Sequence, residues 1–215
     1  MMEFGLIRHG KTLWNLEKRI QGREDIPLYP GSIRQISLWA ERLRYGRYDL
    51  ILSSPLKRAQ QTSMIISEKL LLDIEYDEDL QEQDFGDWEG KTLQAIKTLA
   101  CKELETQVSR GWEFCPPHGE SRITVFKRAS DAIKKAGIKY DKKHILIITH
   151  NSVIKSLIYK LRGRAFLPDE PPLLHDYNLH KLIFDGDIKI KKLNSINLME
   201  EALAKPLRYK PNIYN

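Results

Sequence analysis

An arginine, a histidine and a glycine follow the first apolar run of this 215-residue chain. Residues 4–7 are apolar, and Arg8, His9 and Gly10 come directly after them. A guanidinium group can hold an anion such as a phosphoryl group, and an imidazole beside that group can attack its phosphorus atom. Glycine allows the backbone to turn sharply or to approach a ligand closely. The segment therefore predicts an anion site that contains a nucleophile.

Two further motifs of this kind follow apolar runs later in the chain. Arg58 lies just after Ser53-Ser54-Pro55, and His150 ends a second apolar run. A lone histidine or helix arginine is more often structural, but two arginines are costly to place together unless an anion lies between them. We therefore expect Arg58 and His150 to converge with the first motif on one site.

A general acid is expected in the stretch 80–90, which combines four acidic residues with aromatic side chains and glycines. A carboxyl group held against aromatic rings can protonate a leaving group. The alternative is an acidic surface loop anchored by Phe85 and Trp88. Spacing alone does not select Glu82 from the other acidic residues.

The composition indicates a globular chain, with 41% hydrophobic and 30% charged residues. Its length predicts one domain over 1–215, with a core at about 3–195 and a tail at 197–215. Cys101 and Cys115 lack metal-ligand spacing, and two thiols are typical of a cytoplasmic protein. We see no signal peptide and no apolar run long enough to span a membrane.

The net charge of +6 favours a small anionic substrate, although an ordinary lysine-rich surface gives the same balance. The basic residues are spread along the chain, and none forms a basic stretch interleaved with stacking aromatics. We therefore expect no nucleic-acid or membrane partner, and a monomer or homodimer.

The order of the predicted elements indicates an α/β fold. Apolar runs predict strands at 4–7, 48–53, 74–76, 144–149, 179–184 and 188–193. Helices are predicted at 33–45, with Ser32 as its N-cap, from 55 to about 71, and at 92–112, 121–136 and 153–161. The alternation favours a three-layer α/β/α sandwich with a mostly parallel sheet, and Asp185-Gly186 predicts a hairpin that forms an antiparallel edge. A short helical patch and then an extended end are expected after Asn197.

The motifs together resemble the histidine phosphatase superfamily, also called the phosphoglycerate mutase-like family. Six blocks occur in the family's order between about residue 4 and residue 155. They lie at 6–15, 19–28, 53–62, 80–90, 119–121 and 149–150. A single Arg-His-Gly is a weak signal, but six ordered blocks make a chance match very improbable.

The resemblance implies a phosphoglycerate mutase-like fold and a role for each matching residue. His9 would become a phosphohistidine, Glu82 would act as the acid, and no metal or other cofactor would be needed. The cations and dipoles around the phosphoryl group would be Arg8, Arg58 and His150. Further contacts to the phosphate or substrate would come from Thr12, Asn15, Gln21, Gly22 and Asn151.

The chain departs from the family pattern near the second histidine and near residue 120. Asn151-Ser152 stands where members often have Gly-Gly, and we expect Asn151 to keep the turn because asparagine tolerates left-handed backbone. Arg122 stands where an apolar residue is more common. We expect the segment 119–121, and the helical stretch before it, to shape the choice of substrate.

The function that the resemblance implies is hydrolysis of a small phosphomonoester, such as α-ribazole 5′-phosphate or a sugar or glycerate phosphate. The first alternative is phosphoglycerate mutase-type phosphoryl transfer, disfavoured because the stretch 90–116 is shorter than the mutases' insertion. The second alternative is a non-catalytic binding protein on the same fold. It is disfavoured because all five residues with a catalytic role are present: Arg8, His9, Arg58, Glu82 and His150. The expected partner is a small phosphorylated metabolite.

Overall fold

The computed structural model describes residues 2–200. The strands are β1 (Met2–Arg8), β2 (Leu50–Ser53), β3 (Ile74–Tyr76), β4 (His144–Thr149), β5 (Asn178–Phe184) and β6 (Ile188–Asn197). The helices are α1 (Leu13–Leu16), α2 (Ser32–Leu43), α3 (Lys57–Leu70), α4 (Leu93–Leu99), α5 (Cys101–Ser109), α6 (Arg122–Lys139) and α7 (Asn151–Leu161).

All six strands form one sheet in the order β3-β2-β4-β1-β5-β6. The first four are parallel, while β5 pairs antiparallel with β1 and β6 pairs antiparallel with β5. The predicted antiparallel edge is therefore confirmed. Arg8 lies opposite Thr149, and Ser53 lies opposite Ile148. This register brings the residues that follow β1, β2 and β4 together at one edge of the sheet.

Helices cover both faces of the sheet. Along β4, Ile145 and Ile147 belong to the core beneath α6 and α7, while Leu146 and Ile148 belong to the core beneath α2 and α3. Strands buried on both faces have continuous apolar sequences rather than alternating ones, which is why this run predicts a strand so clearly. The three-layer α/β/α arrangement is confirmed.

Several helix boundaries differ from those predicted. Helix α3 begins at Lys57 rather than at residue 55, and α6 continues to Lys139 rather than ending at residue 136. Gly31 is the N-cap of α2, because the Ser32 hydroxyl donates to the Lys11 carbonyl at 2.8 Å instead of capping the helix. The helix expected over 92–112 is broken at Ala100, whose φ of −140° and ψ of 42° separate α4 from α5. Helix α7 begins at Asn151, two residues earlier than expected.

The end of the chain was only partly predicted. Strand β6 continues to Asn197 rather than stopping at residue 193, and the Leu198 amide donates to the Tyr177 carbonyl at 3.0 Å. Most of the predicted C-terminal tail lies outside the described residues. Within 2–200, no helix combines the length and apolarity needed to cross a membrane. The single-domain organisation, the compartment and the oligomeric state stay predictions.

Replacing a residue of β4 tests how much this core contributes to the free energy of unfolding. Ile147 is fully buried, and we expect Ile147→Ala to lower the free energy of unfolding by about 2–5 kcal/mol because a cavity remains. The matched change Ile147→Val should cost only about 0.5–1.5 kcal/mol. Urea unfolding measures both, and equal small losses would contradict the packing described.

Candidate active site

A pocket of about 170 Å³ opens at the sheet edge where β1, β2 and β4 end. Eight of the ten predicted site residues line it: Arg8, His9, Asn15, Gln21, Gly22, Arg58, Glu82 and Asn151. The lining also includes Arg19, Ile20, Phe85 and Ser152. The remaining two predicted residues, Thr12 and His150, are fully buried. The structure therefore brings the separate sequence motifs together.

His9 has a fixed tautomer and a neutral ring. Its Nδ1 lies 2.6 Å from the Gly10 carbonyl oxygen, and because a carbonyl only accepts, Nδ1 carries the proton and donates it. The lone pair of the neutral ring is therefore on Nε2. Burial holds the pKa of His9 well below its usual value, and the positive charges of Arg58 and Arg8 lower the pKa further. His9 presents an unprotonated nitrogen at neutral pH.

Gly10 serves packing rather than a sharp turn or a ligand contact. Its φ is not positive, and it does not line the pocket. A Cβ at this position would lie 2.5 Å from Cδ1 of Ile36, and the Gly10 amide donates to the Thr62 hydroxyl at 3.0 Å. The expected turn at Gly10 is therefore wrong: glycine is needed because α2 packs against the backbone.

Arg58 is a fully buried cation in the pocket wall. Its terminal nitrogens donate to the carbonyls of Gly22 and Glu24, each at 2.7 Å. Burial lowers the pKa of Arg58 to about 10, so the side chain stays charged at neutral pH. Within residues 2–200, it makes no ion pair with a carboxylate. A buried charge without a counter-ion is costly, and an anion in the pocket would offset that cost.

Arg8 supplies a second guanidinium group at the other side of His9. One nitrogen lies 3.6 Å from the carboxylate of Asp176, which is mostly exposed to solvent. The guanidinium carbon lies 5.5 Å from the centre of the Tyr177 ring. Because surface ion pairs are weak, this pairing leaves Arg8 available to an anion in the pocket.

His150 lies against His9, with 5.1 Å between the ring centres. Its Nε2 is 2.8 Å from the Ser54 hydroxyl, and its buried Nδ1 has no partner within 2–200. Burial holds the pKa of His150 well below its usual value, and the charge of Arg58 lowers the pKa further. The ring is therefore a neutral dipole at neutral pH.

Glu82 is oriented by backbone amides. Its carboxylate accepts from the amide of Gln83 at 2.9 Å and from the amide of Ser152 at 3.2 Å. Ser152 lies in the first turn of α7, and its amide is one of those a helix leaves without an internal partner. The acidic segment is thereby tied to the residues that follow His150.

The remaining predicted residues form a bonded group at the mouth of the pocket. The Thr12 hydroxyl lies 3.0 Å from Oε1 of Gln21 and 3.1 Å from Oδ1 of Asn15. Gly22 has a φ of 53°, and a Cβ there would overlap the carboxylate of Glu89. The positive φ and the close carboxylate both favour glycine at this position. The Gly22 carbonyl accepts from Arg58.

The comparisons identify the family. The sequence profile of the histidine phosphatase superfamily (branch 1) matches residues 4–190. The chain belongs to this superfamily. An uncharacterized phosphatase PhoE from Bacillus subtilis (strain 168) is 34% identical over 158 residues, which are 74% of this chain and 76% of the relative. Phosphoglycerate mutase-like protein 4 from Arabidopsis thaliana is 34% identical over 188 residues, 86% of this chain and 81% of the relative.

A solved structure shows the same fold. A phosphoserine phosphatase mutant from Entamoeba histolytica, in complex with phosphoserine, superposes with a TM-score of 0.80 and 27% identity. The match covers 93% of this chain and 100% of that one. Together with the family match, the phosphatase relatives make this protein a phosphoric monoester hydrolase of the histidine phosphatase superfamily.

The structure assigns a role to each of two departures from the superfamily pattern, and the role of Asn151 differs from the expected one. Asn151 does not adopt a left-handed conformation, because it forms the first residue of α7 and its neighbour donates to Glu82. Arg122 lies outside the pocket, with its guanidinium carbon 4.1 Å from the ring centres of both Phe114 and Phe166. Arg122 therefore packs between two elements and does not touch the site.

Sequence reasoning missed two supporting residues. Ser54 contacts His150, and its place in the motif that ends β2 was a usable signal. Arg128 lies within α6, donates to the carbonyls of Gln81 at 2.7 Å and Glu82 at 3.0 Å, and thereby fixes the acidic segment. No local pattern distinguishes Arg128 from an exposed helix arginine.

Stability should depend on pH because two buried histidines are neutral in the folded state. Their folded pKa values are lowered, so below about pH 6.5 the unfolded chain binds protons that the folded chain does not. We expect the free energy of unfolding to fall there by up to about 1.4 kcal/mol per pH unit for each histidine. Urea unfolding between about pH 7 and about pH 5 should give a shallower decline for His150→Asn. Identical declines for this variant and the unchanged protein would contradict the burial of a neutral His150.

Proposed function

We propose that this protein hydrolyses a small phosphomonoester through a phosphohistidine on His9. The observation that carries the proposal is the fixed tautomer, in which Nδ1 donates to the Gly10 carbonyl and Nε2 keeps its lone pair. The lowered pKa of His9 favours the neutral ring before substrate binds. A neutral imidazole nitrogen facing a cationic pocket is suited to in-line attack on phosphorus.

The cations around His9 supply the electrostatic part of the proposal. Arg58 and Arg8 line the pocket, and the ring of His150 adjoins His9. In the transition state, negative charge spreads over the phosphoryl oxygens, and fixed cations stabilise it without reorganising. Arg58 and Arg8 supply positive charge without a metal ion, so the proposal needs none.

Glu82 handles the protons in both steps. In the first step, the Nε2–P bond forms, the ester P–O bond breaks, and protonated Glu82 gives its proton to the leaving oxygen. In the second step, the Glu82 carboxylate takes a proton from water as the oxygen of that water bonds to phosphorus and the N–P bond breaks. Inorganic phosphate leaves, and His9 is regenerated neutral. The two amides that hold the Glu82 carboxylate keep it in place for both transfers.

The leaving group is a small metabolite in this proposal. The pocket at His9 has a volume of about 170 Å³, which suits a small phosphorylated molecule. The Entamoeba histolytica relative is named a phosphoserine phosphatase and was solved with phosphoserine. From this relative we take only the general class of substrate, a phosphorylated small molecule. The candidates from the sequence analysis, α-ribazole 5′-phosphate and sugar or glycerate phosphates, belong to that class.

Phosphoryl transfer between substrates is the second candidate, because one relative is named phosphoglycerate mutase-like protein 4. The same residues would act as a mutase if water were kept from the phosphohistidine. Incubation with 3-phosphoglycerate distinguishes hydrolase from mutase activity. Release of phosphate supports the hydrolase, whereas conversion to 2-phosphoglycerate without phosphate release contradicts it.

Removing the nucleophile tests the central step. We expect His9→Ala to reduce phosphate release at least about 10³-fold, because no other group can take the covalent role. His118→Asn is the control, since His118 is exposed and asparagine tolerates its φ of 57°. A His9→Ala variant with near-normal phosphate release would overturn the mechanism.

Changing the acid tests the role of Glu82. Glu82→Gln keeps the shape but cannot donate the proton, so we expect alkyl phosphates to slow by about 10²- to 10⁴-fold. Activated aryl phosphates, whose leaving groups need little protonation, should slow much less in the first step. Single-turnover release of p-nitrophenol from p-nitrophenyl phosphate and of glycerol from glycerol 3-phosphate measures the first step alone, before the second step can limit the rate. Equal slowing of both esters would show that Glu82 is not the acid.

A further inference from the structure

A second pocket of about 220 Å³ adjoins the site at His9. Arg8 and Asn151 line both pockets and form the boundary between them. The other walls come from α7 and from the segment 172–180 that leads into β5. Because Arg8 contacts both spaces, a molecule with its phosphoryl group at His9 has room for its leaving group in the second pocket.

Lys155 brings a positive charge to this second pocket. It lies one helical turn after Asn151 on α7, so both side chains face the same side. Within residues 2–200, its ammonium makes no ion pair or hydrogen bond. Burial lowers the pKa of Lys155, and the charge of Arg8 lowers it further, while Asp176 and Glu82 act in the opposite direction. The pocket is therefore lined by two cations, Arg8 and Lys155, and by the mostly exposed carboxylate of Asp176, which lies 3.6 Å from a nitrogen of Arg8. His175 lies at the exposed rim of the pocket.

A buried polar group without a partner also lines this pocket. Asn178 is 6% exposed, and its Oδ1 has no hydrogen-bond partner within 2–200. Buried amides normally have partners, so the unpaired oxygen indicates that a ligand donor belongs there. Nearby, Nδ1 of His180 accepts from the Asn194 amide at 3.2 Å, which leaves the proton of the neutral ring on Nε2.

We propose that the second pocket binds an anionic group, a carboxylate or a second phosphate, on the leaving group of the substrate, with Lys155 as its principal cation. The inference rests on the proposed function, because it assigns the leaving group of the same reaction. Arg8 bridges the two anions of such a substrate. Asn178 accepts from a hydroxyl or ammonium group carried between them.

The segment expected from sequence to choose the substrate does not provide a comparable site. The Glu120 carboxylate accepts two hydrogen bonds from Arg128, at 2.8 and 2.9 Å, and does not line either pocket. Its charge is already compensated within the protein. The unpaired groups lie instead at Lys155 and Asn178.

Substrates matched in size test this assignment. 3-Phosphoglycerate carries a carboxylate where glycerol 3-phosphate carries a neutral hydroxymethyl group, and glycerol 1,3-bisphosphate carries a second phosphate. We expect Lys155→Met to lower kcat/KM for at least one doubly anionic substrate by about 10- to 100-fold, because a charge-assisted contact is lost. The value for glycerol 3-phosphate should change by less than about twofold. A loss of kcat/KM for only one of the two substrates with anionic leaving groups identifies which anion the pocket selects.

The control is Lys134→Met, which removes the same charge from an exposed position of α6. This variant should leave kcat/KM unchanged for all three substrates. His175→Ala provides a second variant, which should lower kcat/KM for the same substrates more weakly. An equal effect of Lys155→Met on all three substrates, or no effect on any, would overturn the inference. Failure of the proposed function is distinguishable, since the unchanged protein would then release no phosphate even from p-nitrophenyl phosphate.

Discussion

One hydrogen bond, from Nδ1 of His9 to the Gly10 carbonyl, decides which ring nitrogen keeps the lone pair that the proposed attack on phosphorus requires. The bond requires the backbone after β1 to be held in place. The His9 amide donates to the Thr149 carbonyl at 3.0 Å, and the Gly10 amide donates to the Thr62 hydroxyl. Strand β4 and helix α3 therefore fix the imidazole before any substrate arrives, and the preorganisation needed for phosphoryl transfer is built into the core.

The site is maintained at a cost in folding free energy. Arg58 is charged in the pocket wall without a carboxylate partner among residues 2–200, and two histidines are kept neutral by burial. The parallel sheet and its two apolar cores stabilise a fold that tolerates this cost. A bound phosphoryl group would offset the buried charge of Arg58, so the same buried charge that costs folding free energy favours an anionic ligand.

The sheet and the main site residues were predictable because parallel strands end at one edge. Arg8-His9, Ser53-Ser54 and Thr149-His150 each follow an apolar run, and that rule alone places them together. The contact between Ser152 and Glu82 was not predictable, since it depends on where α7 begins, and tertiary contacts shift helix ends by a residue or two. Gly10 was misassigned because its constraint comes from Ile36, which is distant in sequence.

The second pocket could not be predicted from the sequence either. Lys155 has the pattern of an ordinary helix lysine, and Asn178 that of a strand residue. Their significance appears only when α7 and the segment before β5 pack together beside Arg8. Most residues that line the pocket at His9 lie in recognisable blocks, whereas those that line the second pocket, apart from Arg8, lie at 151–155 and 172–180, outside those blocks.

The most direct measurement is to stop the reaction within milliseconds and locate the phosphorus on the protein. The protein is mixed with an activated aryl phosphate, quenched with alkali to preserve phosphoramidates, and examined by ³¹P NMR and peptide mass spectrometry. The structure predicts one phosphoryl group per chain on Nε2 of His9. A phosphoryl group on Nδ1 or on another residue, or none while phosphate is being released under conditions that preserve a phosphorylated His9 standard, would contradict the account.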